Sequence, residues 1–205
     1  LYTIYAGVRS GGLWKTANNG ITWEPVTDSI GTIASVGAVA VASSNSQIVW
    51  VGGGDQANAR SSMSGDGVFK SIDAGKTWRA MGLPDSHHIA RIVIHPKNPG
   101  IVYVAAIGHL FSRNEERGVF RTMDGGKSWK KTLYLSEQIG AMDVELQPGN
   151  PTVVYAWMSR LERKPWTIIS GGPASDGAGF YKSTNGGDTF TKIATGLPSQ
   201  LVGKG

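Results

Sequence analysis

Cysteine is absent from this chain of 205 residues. That excludes a disulfide framework, a thiolate metal centre and a cysteine nucleophile, and it leaves the redox compartment open. No apolar run approaches the roughly 20 residues of a membrane span, and the first residues read as strand rather than as a signal peptide. Helical periodicity is missing throughout. The glycine-rich pieces Gly52-Gly53-Gly54 and Gly171-Gly172 therefore open no helix, which removes the usual phosphate cradle and nucleotide chemistry with it. No nucleophile elbow surrounds any serine. An initiating Met is also lacking and the chain begins inside a repeat, so a processed product or a piece of something longer is expected.

Charged residues are scarce at 17%, with a net charge of +5. The basic residues are dispersed, not gathered into a stripe with interleaved aromatics. Lys15, Lys70, Arg121 and Lys182 recur at one position of a repeat and Lys76 and Lys127 at another, as expected of solvated outer strand faces. A nucleic-acid partner is not expected on that pattern. What the chain has in plenty is glycine (29) and tryptophan (7), with 40% apolar residues, a composition that fits a turn-rich all-β globular protein.

One string occurs four times: Gly12 to Trp23 (GLWKTANNGITW), Gly67 to Trp78 (GVFKSIDAGKTW), Gly118 to Trp129 (GVFRTMDGGKSW) and Gly179 to Phe190 (GFYKSTNGGDTF). Its chemistry is that of a hairpin pinned by its own side chains. Val119-Phe120-Arg121 alternates as a half-buried strand would, and a second strand begins at Ser128-Trp129. Between them Asp124 and the Thr122 hydroxyl can accept from turn N–H groups, and Gly126 supplies the positive φ of a tight turn. Trp129 then covers the turn, an indole burying roughly 200 Å². The same roles fall to Asp73, Gly75 and Trp78, to Asn18, Gly20 and Trp23, and to Asn185, Gly187 and Phe190. Asn at two of the four positions keeps the acceptor oxygen and removes the charge, so acid or base chemistry is not the carboxylate's task.

Around these turns the chain resolves into four-stranded units with a period of about 50 to 60 residues, the range of propeller blades. The expected units are 1–28, 29–84, 85–135 and 136–196, with 197–205 starting or closing a further blade. The first unit has strands at Leu1 to Val8, Leu13 to Asn18 and Thr22 to Val26 but no inner strand before them. Alternating strand direction sorts the loops onto two faces. One carries the pinned turns together with His95 to Pro99 and Gln147 to Pro151. The opposite face carries the long loops Gly53 to Asp66, Gly108 to Arg117 and Ser159 to Ala178, with the links holding His87-His88 and Ser136-Glu137. Long loops on a rigid scaffold are where binding resides.

Carried by YAGVRSGGLWKTANNGITWEPV (5–26), GDGVFKSIDAGKTW (65–78), the stretch 89–129 and SGGPASDGAGFYKSTNGGDTF (170–190), the chain resembles the Asp-box (BNR) repeat β-propellers. Within them it is more similar to large bacterial proteins with sortilin-type or "glycosyl hydrolase BNR repeat" labels. The resemblance covers essentially the whole chain and implies an all-β ring of seven or more blades, of which about four are here, in a protein usually exported to an extracellular or periplasmic location. It is uninformative about activity, because sialidases, xyloglucanases, photosystem assembly factors and sortilin receptors share the motif. Against the xyloglucanase pattern, Gly11-Gly12-Leu13-Trp14 places Arg9 where that family has its catalytic Asp. A sialidase's Arg-Ile-Pro stretch is missing.

A glycosidase needs two carboxylates flanking the scissile bond. Asp55, Asp66, Glu115, Glu116, Glu137, Asp143 and Asp176 lie in or near loops of the proposed face, with Trp157 and Trp166 available to stack on sugars. His87 and His88 point to opposite sides if on a strand and so do not share a metal there; in a loop they can. His109 starts the Asn114-Glu115-Glu116-Arg117 loop. Arg160, Arg163, Lys164 and Trp166 form a basic-aromatic cluster suited to an anionic sugar or a peptide carboxylate. The ligand-binding candidates are thus Asp55, His87, His88, His109, Glu115, Glu116, Trp157, Arg160 and Trp166, with no cofactor, no metal and no catalytic set expected. The expected role is a non-catalytic scaffold or binding module for a glycan or peptide. A glycoside hydrolase and a structural subunit joined through open blade edges are the alternatives.

Overall fold

The computed structural model describes residues 2–30, 33–173, 176–196 and 200–202. Among these the chain forms antiparallel sheets in sequence order. The first holds β1 (Ile4–Gly7), β2 (Leu13–Thr16) and β3 (Glu24–Pro25). The second runs β4 (Val36–Val41), β5 (Val49–Gly53), β6 (Val68–Ser71), β7 (Arg79–Ala80), and the third β8 (Ile89–Ile94), β9 (Val102–Ala106), β10 (Gly118–Thr122), β11 (Lys130–Leu133). The fourth is built on β12 (Ile139–Gln147), β13 (Asn150–Arg163), β15 (Gly179–Ser183) and β16 (Thr191–Lys192). A 3-10 turn at Pro84–Ser86 leads into the third sheet.

The core lies between the sheets. Leu13, Val36, Val51 and Phe69 fill the gap between the first and second. Trp50, Val68, Ile89, Val104 and Phe120 fill the next, and Ile107, Val119, Ala141, Val154, Met158 and Tyr181 the third. A strand in a middle sheet is therefore covered on both faces. For that reason β9 and β10 are buried at every position, Arg121 included, and the half-buried alternation expected at Val119-Phe120-Arg121 is not what forms. Close approach sets a limit on side-chain size where sheets meet: a Cβ on Gly140 would stand 2.2 Å from the carbonyl oxygen of Ile107.

Each repeated turn is closed by the same bonds. Asp124 Oδ1 accepts from the Ser128 N–H at 3.0 Å and Oδ2 from its hydroxyl at 2.6 Å, while Thr122 Oγ1 accepts from the Gly126 N–H at 2.9 Å. Asp73, Asn18 and Asn185 accept in the same way from Thr77, Thr22 and Thr189. Two successive residues take positive φ: Asn19 and Gly20, Ala74 and Gly75, Gly125 and Gly126, Gly186 and Gly187. The carboxyls of Asp73 and Asp124 are held well below the usual carboxylate range, chiefly by the hydroxyls of Thr77 and Ser128.

These turns also fasten one sheet to the next. The indole N–H of Trp78 donates to Val26 O at 2.8 Å and that of Trp129 to Met81 O at 2.6 Å, in each case on the preceding sheet. In the other direction Lys15 Nζ donates to Ala74 O at 3.0 Å, Lys70 Nζ to Gly125 O at 3.1 Å, and Arg121 to Gly186 O and to Asp188 at 2.6 Å. An aromatic stands across the strand from each cation: Tyr5 by Lys15, Trp50 by Lys70, Tyr103 by Arg121, Tyr155 by Lys182. Lys15, Lys70 and Arg121 are thus reaching into the neighbouring turn rather than standing in solvent, which corrects the solvated-face expectation. The closing Trp likewise bridges two sheets as well as covering its own turn.

The stretch from Ser159 to Ala178, expected as a long loop, is for the most part a hairpin arm. β13 runs on to Arg163 and pairs with β14 (Ile168–Pro173), which pairs in turn with β17 (Gln200–Val202). Of the expected first strand, Leu1 lies outside the described residues, as do 197–199 and 203–205 of the tail.

Candidate functional site

The loops opposite the pinned turns lean on one another. Asn58, from the β5–β6 loop, donates to Ile169 O at 2.9 Å, and Arg60 donates to Pro165 O at 3.2 Å, so a loop of the second sheet braces the arm of the fourth. The Arg163 N–H donates to Leu110 O at 2.6 Å, tying the arm to the β9–β10 loop as well.

That β9–β10 loop is organised around a fully buried cation. Arg117 Nε donates to Asn114 Oδ1 at 3.1 Å and Nη2 to His109 O at 2.9 Å, while Asn114 Oδ1 also accepts from the His109 N–H at 3.0 Å. Burial pulls the Arg117 guanidinium down to about 10, opposed mainly by the charge of Glu162. A planar fork of donors suits this work, since each bond goes to a different acceptor.

Beside it three titratable groups converge. His109 Nε2 is 3.0 Å from Asp85 Oδ1 and His87 Nε2 is 3.9 Å from the same oxygen; Ser112 Oγ is 2.8 Å from His109 Nδ1. The His87 and His109 rings stack at 3.6 Å with 18° between planes. A metal bound through an imidazole nitrogen lies in the plane of the ring, and two nearly parallel stacked rings share no such point. A cation here would require one ring to turn. Burial, then the charge of His109, lowers the His87 pKa. His88 faces the other way, buried, with Nδ1 2.9 Å from Asp55 O, and burial lowers it to about 4.

Next to the β9–β10 loop lies a cleft of about 210 Å³ lined by Leu110, Phe111, Ser112, Arg113, Glu162, Arg163 and Lys164. Arg163 is 9% exposed, and its Nε and Nη1 have no acceptor among the described residues. Buried donors of this kind cost free energy unless something accepts from them. Trp166, at the tip of the arm, is 80% exposed, and Phe111 is exposed on the cleft wall.

Of the candidate residues, the structure gathers His87 and His109 around Asp85, and Glu116 joins them because its Oε2 accepts from the Asp85 N–H at 2.9 Å. Asp55 pairs with Arg9 and accepts from the Ala57 N–H at 2.7 Å. Arg160 pairs with Glu162 at 2.9 Å, and Glu115 points to solvent. Trp157 stands apart, edge-on to Phe180 at 4.2 Å in a separate cleft of about 520 Å³ with Arg91 and Asp143. Asp85, Asn114 and Arg117 were not singled out by the sequence: apart from the short Arg117–Asn114 bond, their partners are main-chain groups or a histidine 24 positions away, and no local pattern marks them.

Successive antiparallel sheets packed face to face, the two middle ones four-stranded, define a partial β-propeller. The Sortilin-Vps10 family model, described as "Sortilin, neurotensin receptor 3", matches residues 66–200, and the chain belongs to that family. It is 27% identical to a xyloglucanase of a Paenibacillus species over 98% of its own length, which is 20% of that relative's. Among solved structures it is similar to the GH74 xyloglucanase of Xanthomonas campestris (TM-score 0.67, 16% identity, 95% of this chain and 28% of that one). The GH74 enzyme of Niastella koreensis is a further likeness (TM-score 0.65, 20% identity, 93% and 27%). The chain thus spans between a fifth and three tenths of the length of these relatives.

Proposed function

We propose that this propeller portion is a glycan-binding module whose ligand lies on the long-loop face, in the cleft between Phe111 and the arm. The observation that carries the reading is the pair of open donors on buried Arg163, in a cleft that also holds Arg113, Lys164, Glu162 and the exposed ring of Phe111, with exposed Trp166 two residues beyond Lys164 on the arm. Aromatic faces stack on the apolar side of a sugar ring, and a guanidinium accepts the geometry of a carboxylate or of two adjacent hydroxyls. The positive lining favours a glycan that bears carboxylates. The units 1–28, 29–84, 85–135 and 136–196 serve as the scaffold, and an extracellular or periplasmic location follows from the ligand.

Isothermal calorimetry against xyloglucan oligosaccharides and against oligogalacturonate tests this. Saturable binding to the acidic glycan, weakened at least about tenfold by Arg163→Gln or Trp166→Ala, is the expected result. If neither glycan binds, the reading fails.

A second reading, hydrolysis, is favoured by the likeness to a xyloglucanase along nearly the whole chain. Release of reducing ends from xyloglucan, abolished by Glu115→Ala, Glu116→Ala or Asp55→Ala, would establish it in place of the first.

A further inference from the structure

Arg117 already fixes the β9–β10 loop, through Asn114 and the main-chain oxygens of His109 and Ser112. A second chain of bonds crosses from that loop to the link before the third sheet. Ser112 Oγ lies 2.8 Å from His109 Nδ1, and His109 Nε2 lies 3.0 Å from Asp85 Oδ1. A carboxylate only accepts, so Asp85 keeps the proton of the neutral imidazole on Nε2 and leaves Nδ1 to accept from the Ser112 hydroxyl. Serine, base and orienting carboxylate thus stand within hydrogen-bond reach in the order that activates a hydroxyl. The ring is turned in the opposite sense from the usual triad, and either nitrogen can serve once the other carries the proton.

Each member is held where it stands. The Asp85 N–H donates to Glu116 Oε2 at 2.9 Å and its carbonyl accepts from Asn114 Nδ2 at 2.8 Å, so two side chains of the loop grip its main chain. His87 covers one face of the His109 ring at 3.6 Å. It does so from a strained turn, with φ 54° and ψ −42° and the His88 N–H closing on Ser86 O at 2.6 Å. A residue other than glycine keeps such a conformation only where its surroundings impose it. The far end of the relay is open. Ser112 is exposed and lines the cleft of about 210 Å³ that also holds Arg163. A carbonyl oxygen under attack turns negative and needs a donor, and Arg163 Nε and Nη1 have no acceptor among the described residues.

We infer that this cleft is an ester-hydrolysis site, with Ser112 as nucleophile, His109 as general base and then acid, and Asp85 as the positioning residue. Ser112 Oγ bonds to the ester carbonyl carbon as its proton passes to His109 Nδ1; the bond to the alcohol oxygen then breaks, and that oxygen takes the proton. Water repeats the sequence on the acyl-serine. It gives a proton to Nδ1, bonds to the acyl carbon and frees Ser112 Oγ, which recovers the proton. The net change is ester and water to acid and alcohol. A cleft of this size suits a short acyl group such as acetyl. The inference shares its cleft with the glycan reading but needs no glycan; an acetylated sugar is the substrate for which both hold.

Hydrolysis of p-nitrophenyl acetate and labelling by a fluorophosphonate probe test it on the intact chain. Neither reagent contains a sugar, so the outcome is separate from that of the calorimetry. Expected are saturable turnover, the probe located on Ser112 by mass spectrometry, and a loss of about 10²-fold or more in kcat/KM in Ser112→Ala and in His109→Gln. Asp85→Asn is expected to lower kcat with KM unchanged, which mere loosening of the loop would not do. Ser112→Ala removes only a hydroxyl at an exposed position, so it decides the matter even if the other variants unfold. Turnover that survives Ser112→Ala, as a bare histidine would give, overturns the inference. So does a chain that neither turns over the ester nor takes the probe, or an activity that EDTA removes, which would assign Asp85, His87 and His109 to a metal instead.

Discussion

The indole nitrogen of Trp129 lies 2.6 Å from the carbonyl oxygen of Met81, across the gap between the second and third sheets. The repeat is therefore a joint between sheets as much as a turn within one. Trp129 also meets Trp50 edge-on at 6.0 Å, so hydrogen bond and ring contact act together.

Trp129→Phe should cost about 1 kcal/mol, the worth of one hydrogen bond, because Phe190 shows that a phenyl ring fits the equivalent place. Trp129→Ala should cost about 3–5 kcal/mol, since it also empties the space against Trp50 and Met81. Urea midpoints of the two variants separate the terms.

Gly140→Ala should destabilise by about 1–3 kcal/mol through overpacking against Ile107 O. Gly11→Ala, whose Cβ would meet the Val8 side chain at 3.4 Å and the Trp14 indole nitrogen at 3.9 Å, should be close to neutral. A smaller difference between the two would place the sheets farther apart than described.

His88 makes stability depend on pH. Its pKa falls from 6.5 in the unfolded chain to about 4 in the folded one, because burial disfavours the charged ring. A depressed folded pKa means the contribution is complete above pH 6.5 and is lost as pH falls toward 4. The loss by the lower limit is about 3 kcal/mol. Asp55, His87 and His109 act on the same ring but weigh less than burial, so His87 and His109 variants should move the curve only slightly. Unfolding followed between these limits should flatten in His88→Gln.

Asp124→Asn should be nearly silent at neutral pH, because Asn18 and Asn185 keep the main-chain bond in their own turns and replace the accepted hydroxyl bond by one that Nδ2 donates to Thr22 and Thr189. The difference should emerge in acid. The Asp124 carboxyl is depressed in the fold, so its contribution is present above the unfolded pKa and is lost only as pH falls through the lower folded value. Melting curves of wild type and variant should therefore diverge only in strong acid.

Arg117→Lys should destabilise by about 2 kcal/mol and loosen the β9–β10 loop, because one ammonium cannot reach both Asn114 and the His109 carbonyl. Faster amide exchange across residues 109–117 would be the sign.

The repeat was legible because its chemistry is local: Thr122, Asp124 and Gly126 bond within a few residues, and spacing alone reveals them. The burial of Arg121 was not, because a strand's alternation does not say whether a second sheet covers its outer face. The arm was hidden for another reason. Residues 159–178 mix Arg, Lys, Pro and Gly as a loop does, and what holds them straight is Asn58, more than 100 positions earlier. The stack of His87 on His109 escaped for the same reason, since two loops bring the rings together.

The brace from Asn58 and Arg60 to the arm skips over the third sheet altogether. That makes the middle leaf a captive one. If the second sheet pivots, the tether drags the fourth with it, so the angle on one side of the third cannot open while the other stays shut. Such an array bends like a spine with a ligament along one side. The ligament runs along the long-loop face, so the mouth of the Arg163 cleft should hold its width even as the far face breathes.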